Sequence, residues 1–132
     1  MAIERVLVDT NVVSWIGGRR GAHEAWTAAL VGRQAFVSFV TVGEILRGGV
    51  KAGWPDQKMA EWEQRLRSYT VVPGTVVVAR AYARIAARYF RQLSDNDLWI
   101  AATALAFDLP IATGDGRLSD IAGEFGISLV TA

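Results

Sequence analysis

Two hydrophobic periods alternate along the chain. Short runs of β-branched and aliphatic residues, Arg5–Asp9, Ala35–Phe39, Tyr69–Val72, Pro110–Thr113 and Ile127–Thr131, read as strands. Between them, apolar positions recur every three to four residues. This period predicts helices over Thr10–Ile16, Ala22–Val31, Thr41–Val50, Pro55–Ser68, Val76–Gln92, Asp97–Phe107 and Leu118–Glu124. Gly17, Gly18, Gly21, Gly32 and the Pro73-Gly74 pair punctuate the pattern. Strands separated by helices imply βαβ units. The expected fold is α/β, a three-layer α/β/α sandwich around a central parallel five-stranded sheet, with right-handed crossovers. A strand order of 3-2-1-4-5 is the working expectation.

The helix at 76–92 carries Ala79, Tyr82, Ala86, Tyr89, Phe90 and Leu93 on one side, and Arg80, Arg84, Arg88 and Arg91 on the other. The arginines read equally well as a solvated face or as a surface for phosphates. The helix at 97–107 is apolar nearly all round, so it belongs in the interior. No repeat, low-complexity stretch or linker divides the chain, and residues 1–132 are read as a single domain.

Composition narrows the chemistry. The 132 residues are 52% hydrophobic, enough for a core. No apolar run reaches the length of a membrane span, and the start MAIERVLVDT lacks the pattern of a signal peptide, so the cytoplasm is the expected location. There is no cysteine and a single histidine, His23. Thiolate sites and imidazole clusters are excluded, and His23 reads as a surface residue. A metal would be held by carboxylates, which favour hard ions such as Mg2+ or Mn2+. The net charge of +1 announces no polyanion partner by itself.

The acids are more informative. Asp9 ends the first strand and Asp115 follows the fourth. In open α/β sheets, sites form beyond the carboxyl ends of strands where strand order reverses. With the order above, Asp9 and Asp115 flank that crevice. Glu44 and Asp97 fall in the first turns of two helices, which Thr41 and Ser94 cap in this reading. Each acid also has a plainer explanation. Thr41-Val-Gly-Glu44 is a capping box and Ser94-Asp-Asn-Asp97 is close to one. Asp9 and Asp115 fit simple loop and turn roles.

Taken together, VLVDTN at 6–11, SFVTVGEILRGG at 38–49, NDLWIAATAL at 96–105 and PIATGD at 110–115 resemble the PIN domain, and within it the VapC toxins of bacterial toxin–antitoxin pairs. The likeness runs over nearly the whole chain. It implies a metal-dependent endoribonuclease in which Asp9, Glu44, Asp97 and Asp115 hold Mg2+ or Mn2+ and water is activated to attack phosphorus. Asp97 rather than Asp95 keeps the register of the motif. Asn11 and Thr113 match polar positions that support the acids. The resemblance also implies a VapB-like antitoxin as partner, RNA as substrate and a homodimer. Two positions depart from the pattern. Asp108-Leu109 replaces a glycine before the fourth strand, and Leu118 and Ile121 stand where an aromatic is common.

Arg19 and Arg20, in a glycine-flanked loop, are candidates for gripping RNA phosphates, with a plain solvated loop the competing reading. Trp15 and Trp26 are better placed as core than as base-stacking groups, and Trp99 reads as core. Two other functions compete. A phosphotransfer enzyme with Asp9 as nucleophile lacks the second aspartate at Asn11, and Lys51 and Lys58 are both mid-chain. A catalytically silent PIN-like scaffold, binding RNA or a protein, leaves the four acids without a purpose.

Overall fold

Arg5–Val8 forms β1 and becomes the middle of a five-stranded parallel sheet of order β3-β2-β1-β4-β5. The other strands are β2 (Gln34–Ser38), β3 (Thr70–Val72), β4 (Ile111–Ala112) and β5 (Leu129–Val130). The computed structural model describes residues 3–132. The helices are α1 (Thr10–Gly18), α2 (His23–Leu30), α3 (Phe39–Ala52), α4 (Asp56–Leu66), α5 (Val76–Tyr89), α6 (Asp95–Phe107) and α7 (Ser119–Phe125). A 3-10 turn at Gly116–Leu118 leads into α7. The expected fold class and strand order are therefore those of the molecule.

Alternation along the strands splits the interior in two. Leu7 and Ile111 join Val78, Ala81 and Ile85 of α5, Leu98 and Ile100 of α6 and Ile121 of α7. Val6, Val8, Val37 and Ala112 join Val12 and Val13 of α1, Trp26 of α2, Ile45 of α3 and Trp62 of α4. Each fully buried Val or Leu side chain contributes about 1.5–3 kcal/mol by leaving water. Helices thus cover both faces, and β1 is sealed from Val6 to Val8. As a result, Asp9 emerges at a fixed point on the rim.

Local signals account for most boundaries, and the exceptions have causes. Ser38, not Thr41, caps α3: its hydroxyl accepts from Val40 N at 3.1 Å, and the helix begins at Phe39. Thr41 is wholly buried inside the helix, so Thr41 to Glu44 is no capping box and Glu44 lies in the second turn. Gly17 and Gly18 do not break α1, which continues through both before Arg19 ends it at φ 51°. The buried face of α5 is centred on Val78, Ala81 and Ile85, while Ala79 and Phe90 are exposed. Its three arginines, Arg80, Arg84 and Arg88, are exposed, as is Arg91 just beyond it, and Arg88 pairs with Glu124 at 2.9 Å. Leu118 and Ile121, at the departure from the motif, are core residues. Asp108 ends α6 in the left-handed conformation at φ 51°, where glycine would be unstrained.

Candidate active site at the rim of the sheet

Asp9 is the first residue after β1 and the N-cap of α1. Its carboxylate is 4% exposed, so each oxygen needs a partner. Oδ1 accepts from Thr10 N at 2.8 Å, and Oδ2 accepts from the Thr113 hydroxyl at 2.9 Å. The Thr113 oxygen in turn accepts the amide of Asp115 at 3.0 Å. One hydroxyl thereby fixes both acids at the ends of the paired strands β1 and β4.

Glu44 is anchored from the other side. The Thr10 hydroxyl donates to Glu44 Oε1 at 2.8 Å and lies 2.9 Å from the Thr41 hydroxyl. A hydroxyl has one proton, so Thr41 donates to Thr10 and Thr10 to Glu44. Thr41 and Glu44 are three residues apart on α3 and share its face toward α1.

Asp97 is the third residue of α6, and its amide donates to the Ser94 cap at 3.2 Å. Asp95 turns elsewhere, accepting from the Tyr82 hydroxyl and from Trp99 Nε1 at 3.3 Å. Trp99 itself is only half-buried, stacked on Tyr82 with ring centres 3.8 Å apart. Asp115 caps the 3-10 turn and accepts from Arg117 N at 2.9 Å, from Nε at 2.8 Å and from Nη2 at 2.6 Å. Arg117 Nη2 also lies 3.9 Å from Asp97 Oδ2.

The charges respond to this arrangement. Burial lifts the pKa of Asp9 above the usual carboxylate range. Hydrogen bonds from Thr113 and Thr10 oppose that lift, and the charges of Asp97 and Asp115 add to it. Asp9 therefore feels the negative charge of both neighbours. Asp115 moves the other way, lowered by its hydrogen bonds and ion pair with Arg117, against a smaller lift from burial.

Among the described residues, no three acids or histidines stand grouped as a ready-made metal site. The donor set, all carboxylate and hydroxyl oxygen, nevertheless suits a hard cation. The space between Asp97 and Asp115 already takes a positive charge, the Arg117 guanidinium.

The remaining candidates fall at varying distances. Asn11 is exposed and makes no hydrogen bond to the acids among the described residues; the hydroxyl of Thr10 supports them instead. Arg19 and Arg20 lie at the far end of α1 from Asp9, about 15 Å away at 1.5 Å per helical residue. Arg20 donates to Ser14 Oγ at 3.2 Å. Trp26 is buried, and the half-buried Trp15 packs beside Gly114. His23 is half-buried and stands 4.0 Å from Glu24.

Sequence reasoning overlooked Thr10 and Arg117, and read Thr41 only as a cap. Thr10 adjoins Asp9, so the DTN triplet carried a signal; Arg117 carried none beyond its place two residues after Asp115.

Comparison with known proteins adds three findings. The PIN domain family model matches residues 6–124. Among solved structures, VapBC2 of Rickettsia felis bound to a promoter DNA fragment superposes with a TM-score of 0.81 at 15% identity, over 96% of this chain and 98% of that one. VapBC-5 of Mycobacterium tuberculosis, a toxin–antitoxin system member, gives 0.69 at 27% identity, over 97% and 98%. DNA-bound VapBC of Salmonella typhimurium gives 0.77 at 20% identity, over 98% of each chain. A search of curated protein sequences finds no match.

Proposed function

Because the chain belongs to the PIN domain family, we propose that it is the toxin of a type II toxin–antitoxin pair and acts as a Mg2+- or Mn2+-dependent endoribonuclease. The observation that carries this reading is the buried Asp9 carboxylate tied through Thr113 to Asp115, whose partner Arg117 also reaches Asp97. A structural capping acid has no need of two further acids beside it. The similarity of the fold to proteins solved as toxin–antitoxin complexes supports an antitoxin partner of the VapB kind.

In this proposal Asp9, Asp97, Glu44 and Asp115 hold the dication. Mg2+ or Mn2+ would supply a Lewis acid that activates water and offsets the charge of the phosphodiester. The chain's own groups do the positioning. Thr113 and Thr10 fix the two oxygens of Asp9. The Thr41–Thr10 relay holds one oxygen of Glu44 and leaves the other to orient water. Arg117 swings from Asp115 to the scissile phosphate, where a guanidinium matches the phosphate oxygens. The substrate is RNA, the chain acts in the cytoplasm and it works as a homodimer. No helix among the described residues is long and apolar enough to cross a membrane.

The test is cleavage of end-labelled structured RNA by purified protein with Mn2+, Mg2+ or EDTA. Cleavage with metal that is lost in Asp9→Asn and Asp97→Asn, with circular dichroism unchanged, supports the proposal. Binding of RNA without cleavage under any metal replaces it with the silent scaffold.

A further inference from the structure

At the far end of α1 from the acids is a second concave surface that the proposed chemistry does not use. It encloses about 470 Å3, a volume typical of ligand sites, and is lined by Gly17, Gly18, Arg19, Arg20, Trp54, Lys58, Trp62 and Arg65. Four cations and no carboxylate line it. None of the four is ion-paired with an acid among the described residues.

The surface is built rather than incidental. A Cβ on Gly17 would stand 2.6 Å from the Trp62 ring, and one on Gly49 would stand 2.3 Å from Trp54. Bare backbone at those two positions admits the indoles, which stack with centroids 5.5 Å apart. Each indole carries a cation on its ring: Lys58 Nζ lies 4.9 Å from the Trp54 centroid and Arg65 5.1 Å from that of Trp62. Arg20 is steadied by Ser14, and Arg19 turns out of the helix in the left-handed conformation. The C-terminal dipole of α1 favours cations nearby, which explains Arg19 and Arg20. Arg65 has the same explanation in the last turn of α4, but Lys58, in the first turn of that helix, stands against the dipole.

We infer that this surface is an RNA-binding exosite that holds the phosphate backbone of a single strand whose scissile bond lies at Asp9. The inference rests on the nuclease reading and adds a second anchoring point to it. Three of the four cations are arginines, whose planar forks suit phosphate oxygens. Trp62 is buried and its ring seats Arg65, so the cations rather than the indoles are the groups that meet the strand. α1 links the two sites directly, from Asp9 at its N-cap to Arg19 at its C-cap, a span of about 15 Å that a few nucleotides cover.

Binding is measured in EDTA, where cleavage cannot intervene, by fluorescence anisotropy of a labelled oligouridylate of about 20 nucleotides. The protein is compared with a variant carrying Arg19→Gln, Arg20→Gln, Lys58→Gln and Arg65→Gln, and with a control carrying Arg80→Gln and Arg84→Gln on the exposed face of α5. The exosite variant is expected to bind about tenfold or more weakly, and its plot of log affinity against log salt to flatten by about 2–3, since each lost contact to a single strand removes about 0.7. The control is expected to match the parent. No binding by the parent, unchanged affinity and slope in the exosite variant, or equal weakening in the control overturns the inference. Displacement of the RNA by an equally charged polyglutamate at equal affinity also overturns it and assigns the surface to an acidic protein segment. A protein that binds through these residues yet fails to cleave whichever metal is added keeps the exosite and loses the nuclease. Cleavage with binding unaffected does the reverse.

Discussion

The hydroxyl of Thr113 donates to Asp9 Oδ2 at 2.9 Å, joining two nearly sealed residues. The acid that begins the site is thus oriented by a side chain at the end of β4. Replacing Thr113 with Val keeps the shape and removes the donor. The same change strips the Asp115 amide of its acceptor. Thr113→Val is expected to lower stability by about 1–3 kcal/mol. Mn2+ affinity is expected to fall about 10–100-fold. Calorimetric titration and thermal melts measure both, and a Ser at this position should restore the metal affinity.

Asp9 makes a pH-dependent contribution with a definite sign. Its folded pKa is raised, chiefly by burial, so the folded state binds the proton more tightly than the unfolded one. Stability without metal is expected to fall as pH rises from the unfolded value of 3.8 through the raised folded value, then level off. Asp9→Asn lacks that slope. Melts in EDTA at neutral pH are expected to show this variant more stable than the parent, although it cleaves no RNA. A lower melting temperature would refute burial as the dominant influence on Asp9.

Arg117 holds positive charge where the proposed metal is needed. Arg117→Ala is expected to tighten Mn2+ binding in a calorimetric titration, since Asp97 and Asp115 are released. Unchanged or weaker binding would show that the guanidinium supports the metal site instead of competing for it. The pair with Arg117 lowers the pKa of Asp115, so its small stabilising effect is present above pH 3.8 and lost as pH falls through the depressed value. The arginine's exposure to solvent keeps that effect small.

Two classes of helical glycine should respond oppositely to a methyl group. Gly17→Ala drives Cβ into the buried Trp62 ring and is expected to lower stability by about 1–3 kcal/mol. Gly48 in α3 has open space around its Cβ position, so Gly48→Ala is expected to raise stability by about 0.5–1 kcal/mol. Urea unfolding of the two variants separates them by sign.

Much of this architecture is written in the order of apolar runs. The strands centred on Val6, Val37 and Ile111 are β-branched segments between turn signals, and βαβ logic then leaves few topologies. The start of α3 was less legible. Phe39 and Val40 look like a continuation of β2, so a cap at Ser38 could not be told from a strand residue. The faces of α5 depend on which of Val78 and Ala79 meets α6, a choice of about one hundred degrees of rotation that tertiary packing makes.

The acids themselves are conspicuous in sequence because each ends or begins an element. What joins them is not. Thr10 meets Thr41 and Glu44 across 31 and 34 residues, and neither contact leaves a local trace. Arg117 is one of twelve arginines, distinguished only by the two carboxylates its head group reaches. The cationic pocket is equally hidden. Its lining comes from two separate stretches, 17–20 and 54–65, and the glycines that admit its tryptophans look like ordinary helix breakers.

The bond from Thr113 to Asp9 spans 104 positions of the chain. Such a contact closes late, because a long loop must be ordered before it is rewarded. During synthesis, a ribosome-bound chain that has emerged only through Phe107 already carries Asp9, Glu44 and Asp97 but has neither β4 nor the hydroxyl that aims the first carboxylate. A chain stopped before Thr113 therefore carries Asp9 without the donor that orients its second carboxylate oxygen.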